Sequence, residues 1–390
     1  MLNKTAHLLG AIAICSWVGV ECGKFISERT APKPIEIASE RPSETLVDTT
    51  GRYVQDPPRR SSRRLAIPTP RDINKRGNSL MLQTFEPIVA PVLPSTVRVT
   101  IRGRQIALGT IVDKDGWILT KASELPAVGG QVGSQSLVCS LANGSDYRAE
   151  VAASDKENDL ALLHVEASNL TPVAWAREIP GRGSWLATPD LYTTPAAIGV
   201  LSSGLQKVRR QNAVLGVKLG DGADGAVIEE VLPTSGAKEA GLKVADAIVA
   251  LNGNPIRNSL AFRNQVTDLY GGDPLELEIV RGKRRLNLTA RLMDLSEELL
   301  DETDMEVSGE VSHRSSGFES VILHDSVLRP NQCGGPLVDL NGNVVGINIA
   351  RAGRVHSYAL PAPAVRKVVE SLKEQALLVS APSAADGQIR

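Results

Sequence analysis

The residues best equipped for chemistry lie in Arg329-Pro330-Asn331-Gln332-Cys333-Gly334-Gly335-Pro336-Leu337-Val338. A thiol immediately before Gly-Gly-Pro sits on a tight turn that lets backbone approach a ligand closely, which is how a nucleophile loop is built. A cysteine there attacks a carbonyl only if its pKa falls from about 8.5, beside an imidazolium or a helix terminus. Acyl transfer further requires a general base, an acid that orients it, and amide donors for the oxyanion. The histidines that could supply the base are scattered. His164 lies on a strand expected to be buried, and His313 in a polar stretch. His324 precedes Asp325 on a strand leading to the Cys333 loop, and His356 lies on a late strand. Spacing alone leaves open whether any of them reaches the thiol.

These residues must be positioned by strands. Ser95 to Ile101 alternates, and Ala107 to Thr120 predicts a hairpin turning at Lys114-Asp115-Gly116. Ser136 to Leu141 predicts another strand before an Asn143-Gly144 turn, and Asp159 to Val165 a buried strand led by an acid. After Cys333, Asn341-Gly342 makes a hairpin whose returning strand is Val344 to Ile347. Many short strands with turn signals between them predict a β-barrel or sandwich. Ala362 to about Gln375 predicts a closing helix.

Composition narrows the classes. The 390 residues are enough for two or three cores, and a net charge of −1 provides no basic field for nucleic acid. The four cysteines are Cys15, Cys22, Cys139 and Cys333; they make no disulfide framework, and no Cys/His spacing matches a zinc site. No metal or other cofactor is expected. Lys4 followed by the apolar run Leu8 to Val20 predicts an export signal over residues 1–22, with an uncleaved anchor as the alternative. Residues 23–80 are rich in Pro, Arg, Ser and Thr and predict a flexible linker, in which Arg59, Arg60, Arg63 and Arg64 begin a basic cluster.

The Cys333 stretch resembles the serine loop of trypsin-fold peptidases of the HtrA/Deg type, Gly-Asn-Ser-Gly-Gly-Pro-Leu, with Cys333 at the serine position. Aligned on Ile118-Leu119-Thr120, the family's histidine falls on Ser123 and its acid on Asp159. The second oxyanion donor falls on Asn331, where the family has Gly; asparagine can adopt the left-handed region, so that hole can still form around Asn331 and Cys333. Ser235 to Lys243 followed by Ala245 to Gly253 is similar to the best-marked part of a bacterial PDZ domain. Its peptide-binding loop is matched by Val214, Leu215, Gly216 and Val217, with a second helix from Leu260 to Leu269.

The resemblance implies a mainly β chain: a trypsin-like double β-barrel with a PDZ-like α+β domain inserted in the second barrel. The expected parts are 81–205 and 294–378 for the peptidase fold, 206–293 for the PDZ-like unit and 379–390 for a tail. Three departures at three catalytic roles imply a degenerate peptidase, since losing one triad member costs on the order of 10⁴ to 10⁶ in kcat. The expected partners are peptides or unfolded proteins, including terminal carboxylates received by backbone amides. Membrane contact is expected only through an uncleaved N-terminal segment, and self-association is left open. The expected location is the bacterial periplasm or outside the cell. Two rivals remain at this point: a cysteine endopeptidase pairing Cys333 with a recruited histidine such as His324, and a redox-sensing or structural envelope protein.

Overall fold

The computed structural model describes residues 77–125, 127–128, 131–132, 137–295, 310–353 and 355–380. The expected export signal, nearly all of the expected linker with its basic cluster, and residues 381–390 lie outside the described residues. No helix among the described residues is long and apolar enough to cross a membrane.

Two short helices, α1 (Ser79–Gln83) and α2 (Glu86–Val89), lead into the first barrel. Its strands are β1 (Thr96–Ile101), β2 (Arg104–Ile111), β3 (Trp117–Lys121), β6 (Leu137–Leu141), β7 (Asp146–Asp155) and β8 (Leu160–Val165). They close in the order β1-β2-β3-β8-β7-β6, all antiparallel. The small ladder β4 (Ala127–Val128) with β5 (Gln131–Val132) stands apart. Val97, Val99, Ile111, Ile118, Leu163 and Cys139 fill the interior, so alternate positions of every strand face one core. Asp115-Gly116 makes the expected turn, with Gly116 at φ +88° and the carbonyl of Val165 where a side chain would stand.

The second barrel comprises β9 (Trp185–Thr188), β10 (Ala197–Val208), β19 (Phe318–His324), β20 (Pro336–Val338), β21 (Val344–Arg351) and β22 (Ser357–Pro361). They close as β10-β19-β22-β21-β20-β9. Here β10 pairs with β19, from Leu201 opposite His324 to Val208 opposite Phe318, although β19 comes more than a hundred residues later. The chain leaves the barrel at Val208 and returns at Phe318. The closing helix α5 (Ala362–Ser380) buries Val365, Val369, Leu372 and Ala376, a helical stripe. It packs on strands of both barrels.

Between those strands lies a separate sheet, β12 (Val217–Asp221), β13 (Ala226–Val231), β14 (Ala247–Leu251), β16 (Pro274–Arg281) and β17 (Arg284–Arg291), in that order, with β15 (Asn254–Pro255) beside β14. Helices α3 (Gly236–Glu239) and α4 (Ser259–Val266) cover it, enclosing Ile228, Ile248, Phe262, Leu277 and Ile279. Asn258 caps α4 by accepting from the Ala261 amide at 2.8 Å. The helix is shorter than the Leu260 to Leu269 expected from its pattern. It stops before Gly271-Gly272, where positive φ at Gly272 turns the chain toward the first barrel. A two-stranded ladder, β11 (Ala213–Val214) with β18 (Met293–Asp294), ties the entry of this unit to its exit.

Candidate functional site

The end of β3 delivers Lys121 and a 3₁₀ turn carrying Ser123, while Asp159 opens β8 beside it. Asp159 is held in the left-handed region at φ +57°, and its carbonyl accepts the Ala122 amide at 2.9 Å. Its carboxylate accepts the Ser123 amide at 2.7 Å and the Ser123 hydroxyl at 2.8 Å. The second charge is Lys121, whose Nζ donates to Asp159 Oδ2 at 2.5 Å with the ammonium fully buried. A lysine therefore neutralises Asp159, the residue at the acid position of the resemblance. Ser123 is a hydroxyl donor in this arrangement and has no capacity to take a proton at neutral pH.

Cys333 follows the 3₁₀ turn Pro330–Gln332. Its carbonyl accepts the Leu108 amide of β2 at 2.9 Å, and the Gly334 carbonyl accepts the Thr110 hydroxyl at 3.1 Å. Gly334 is at φ +90°, and a Cβ there would lie 2.2 Å from the Leu108 carbonyl oxygen, so the loop seats on the first barrel only because that residue is glycine. Cys333 is fully buried, and burial pushes its thiol up to about 12, with Lys121 opposing the shift. Its Sγ lies 3.9 Å from Ser312 Oγ and 4.0 Å from the Arg329 carbonyl.

The amide of Cys333 donates to the Pro330 carbonyl at 3.0 Å, and Asn331 is not among the residues with positive φ. The oxyanion hole expected from Asn331 and Cys333 is thus replaced by a closed turn: Pro330 favours the 3₁₀ geometry, which consumes the amide.

No histidine hydrogen-bonds the thiol among the described residues. His164 stacks on Trp117 at 4.7 Å between ring centres, His313 Nε2 lies 3.2 Å from Glu239 Oε2, and His356 is exposed. His324 is fully buried beside Asn348, with neither ring nitrogen hydrogen-bonded, and burial lowers its pKa to about 4. The recruited-histidine expectation therefore finds no base at Cys333. A buried thiol with a raised pKa is also a poor redox sensor.

The inserted unit packs directly on this site. The Arg291 guanidinium at the end of β17 donates to the carbonyls of Ser123 and Leu125. Gly272 is at φ +83°, and a Cβ there would stand 2.4 Å from the Ser123 Cβ. A cavity of about 470 Å³ remains between the two, bordered by Ser123, Ser154, Asp159, Gly272, Arg291 and Arg314. Lys121, Arg291 and Arg314 escaped the sequence reading, because nothing in local periodicity points across the fold. The one available signal was Lys121 itself, an ammonium in an otherwise buried strand run, which demands a carboxylate partner.

The second site lies on the inserted unit. Strand β12 is an edge strand of its sheet, and α4 runs beside it. Ahead of β12, Val214 is paired with Met293, and β12 itself begins with Val217 paired to Val231. Between them, the Leu215 carbonyl accepts the Ala237 amide at 3.0 Å and the Gly216 carbonyl the Leu232 amide at 2.9 Å. The amides of Leu215 and Gly216, both buried residues, donate to no acceptor among the described residues. Gly216 is at φ +80°, the left-handed conformation that recurs in anion-binding nests.

Comparisons with known proteins agree with this division. The PDZ domain family matches residues 213–292. Periplasmic serine endoprotease DegP of Escherichia coli (strain K12) is 35% identical over 85 residues, 22% of this chain and 18% of that protein. Periplasmic pH-dependent serine endoprotease DegQ of the same strain is 28% identical over 129 residues, 33% of this chain and 26% of that protein. A probable DegP-like periplasmic serine endoprotease of Pseudomonas putida is 32% identical over 124 residues, 31% and 24% of the two chains. The chain thus spans about a quarter or less of the length of these relatives. The crystal structure of the serine endoprotease from Yersinia pestis aligns with 54% of this chain and 98% of its own, at 17% identity and a TM-score of 0.27. The chain is mainly β, carries a PDZ domain between two strands of its second barrel, and is similar over part of its length to serine endoproteases of the HtrA/Deg type.

Proposed function

We propose that this chain is an exported, catalytically inert HtrA/Deg homologue that captures extended peptides or unfolded proteins by their C-termini through its PDZ domain. The observation that carries the reading is the pair of unpartnered amides at Leu215 and Gly216 beside the β12 edge. A terminal carboxylate satisfies both donors, and the residues before it extend along β12 as an added strand. Inertness is supported by Ser123 at the base position, Asp159 neutralised by Lys121, and a buried Cys333 whose amide is closed onto Pro330. The envelope location is supported by the relatives, whose names place them in the periplasm.

The test pairs fluorescent peptides ending in an apolar residue, identical except for a free or an amidated C-terminus, and follows binding by anisotropy. The free acid is expected to bind at least about tenfold tighter, since two charge-assisted hydrogen bonds are lost on amidation. Equal affinity of the two peptides would remove the carboxylate site. Casein hydrolysis is expected at the level of a no-protein control; turnover that disappears in Cys333→Ala would overturn the inert reading.

A further inference from the structure

The strand of chain that leads back from the PDZ domain crosses the peptidase-like cleft. Ser312 donates its amide to the Arg351 carbonyl at 2.9 Å, and Ser312 Oγ accepts the Arg351 amide at 3.0 Å. That places the segment along the end of β21, with Ser312 Oγ 3.9 Å from the Cys333 thiol. Two residues on, the Arg314 carbonyl accepts Lys121 Nζ at 3.2 Å. The Arg314 guanidinium donates to the carbonyls of Lys156 and Glu157 and lies 4.3 Å from the ring centre of Tyr270. Asp294 holds the segment from the PDZ side, donating its amide to the His313 carbonyl at 2.8 Å and accepting the Ser315 amide at 2.7 Å. Ser312, Arg314 and Ser316 are each only 2% exposed.

A segment whose backbone bonds to this strand end while its Ser312 hydroxyl meets the thiol lies along the path a peptide would take to bring a carbonyl to Cys333. The Ser312 amide bond to the Arg351 carbonyl is the backbone recognition an added strand uses, and the Ser312 hydroxyl supplies the return acceptor for the Arg351 amide. The anchors are also local: Arg314 bonds to carbonyls and stacks on rings, and makes no salt bridge among the described residues. Such a segment can leave without opening either barrel.

We propose that Ser312–Ser316 is a resident peptide, filling a surface for extended polypeptide built from the end of β21, the Cys333 loop and the Lys121–Asp159 turn. The surface is closed to other peptides because the chain occupies it itself. This does not depend on the PDZ carboxylate site, and its tests read a different part of the molecule.

The experiment alkylates the full chain with iodoacetamide at pH 8.5 and maps each cysteine by mass spectrometry. Cys139 is the internal control, since it is equally buried within the first barrel and its thiol is likewise pushed up to about 12. Local departure of the segment exposes Cys333 alone, whereas global opening exposes both. In the native chain Cys333 is expected to react at least about tenfold faster than Cys139, with a weaker dependence on low urea. Arg314→Ala is expected to raise the Cys333 rate by about thirtyfold or more and leave Cys139 unchanged. A synthetic peptide of residues 310–317, added in excess to that variant, is expected to slow Cys333 again. A common rate and urea dependence for the two cysteines overturns the proposal; so does a variant that accelerates both or neither, or a peptide that gives no protection. If Arg314→Ala does not fold, the urea comparison in the native chain decides.

Discussion

Replacing Lys121 with methionine tests the reading of the Lys121–Asp159 turn most directly. The substitution keeps the bulk of the side chain and removes a fully buried ammonium from Asp159, itself 2% exposed. The carboxylate keeps the Ser123 amide and hydroxyl but has no cation within hydrogen-bond reach among the described residues. Breaking a buried pair from one side costs about 3 to 5 kcal/mol, because the other charge stays uncompensated. Asp159→Asn strands Lys121 with only the Arg314 carbonyl, and should cost a similar amount. The double variant removes both charges and should cost only about 1 to 2 kcal/mol, the scale of the neutral hydrogen bonds it lacks. The cycle should therefore show a coupling of at least about 4 kcal/mol. The assay is urea unfolding by tryptophan fluorescence. Trp117, Trp175 and Trp185 lie in the barrel segments, Trp17 lies outside the described residues, and the PDZ span 213–292 contains no tryptophan, so the signal follows the barrels. With a slope of about 1 to 3 kcal/mol per M, each single variant should lower the midpoint by roughly 1 M or more. Additive effects, with the double variant as unstable as the two singles combined, would refute a buried pair at this site.

Three further outcomes follow from the same contacts. On the proposed inert reading, Ser123→His should show no peptidase activity, because Lys121 holds Asp159, the Cys333 amide stays closed and its thiol stays buried; Cys333-dependent casein cleavage by this variant would contradict that account. Gly272→Ala combines a left-handed backbone with a Cβ 2.4 Å from Ser123, so it should destabilise the packing of the PDZ domain on the turn by about 2 kcal/mol, read as a lowered thermal midpoint. His324 is about 4 when folded against an ordinary 6.5, so the unfolded chain takes up a proton first as pH falls. Stability should decline between pH 6.5 and 4 by up to about 3 kcal/mol, and His324→Leu should flatten that part of the urea-midpoint profile against pH.

The strands and turns were legible because their signals are local. Gly116, Gly144 and Gly342 all take positive φ at the hairpins that Asp-Gly and Asn-Gly announce. The PDZ pattern was legible for a similar reason: Ser235 caps α3 by accepting the Lys238 amide, and Gly241 turns out of the helix at φ +75°. The environment of Cys333 was not legible. Whether its amide faces an oxyanion depends on Pro330 drawing the loop into a 3₁₀ turn. Whether a base reaches its sulfur depends on His324 lying buried beside Asn348. The largest omission was electrostatic. Lys121, Arg291 and Arg314 come together from positions spread over nearly two hundred residues, and Arg291 and Arg314 hydrogen-bond backbone carbonyls, which no residue-type pattern encodes.

The ladder between β11 and β18 bears on how the chain folds. The partners β10 and β19 of the second barrel are separated by roughly a hundred residues, and closing a flexible loop of that length costs about 4 kcal/mol. The PDZ domain holds Ala213 against Asp294 and Val214 against Met293, with the Leu295 amide on the Asn212 carbonyl at 3.0 Å. Once it has folded, Asn212 and Leu295 are adjacent, and the connection still to be closed shortens to the few residues on the β10 side and the return segment. Early collapse of the PDZ domain therefore lowers the closure cost of the second barrel by about 1 kcal/mol. A lesion inside the PDZ domain, such as at Phe262 or Ile248, should accordingly slow the refolding of strands that it never touches.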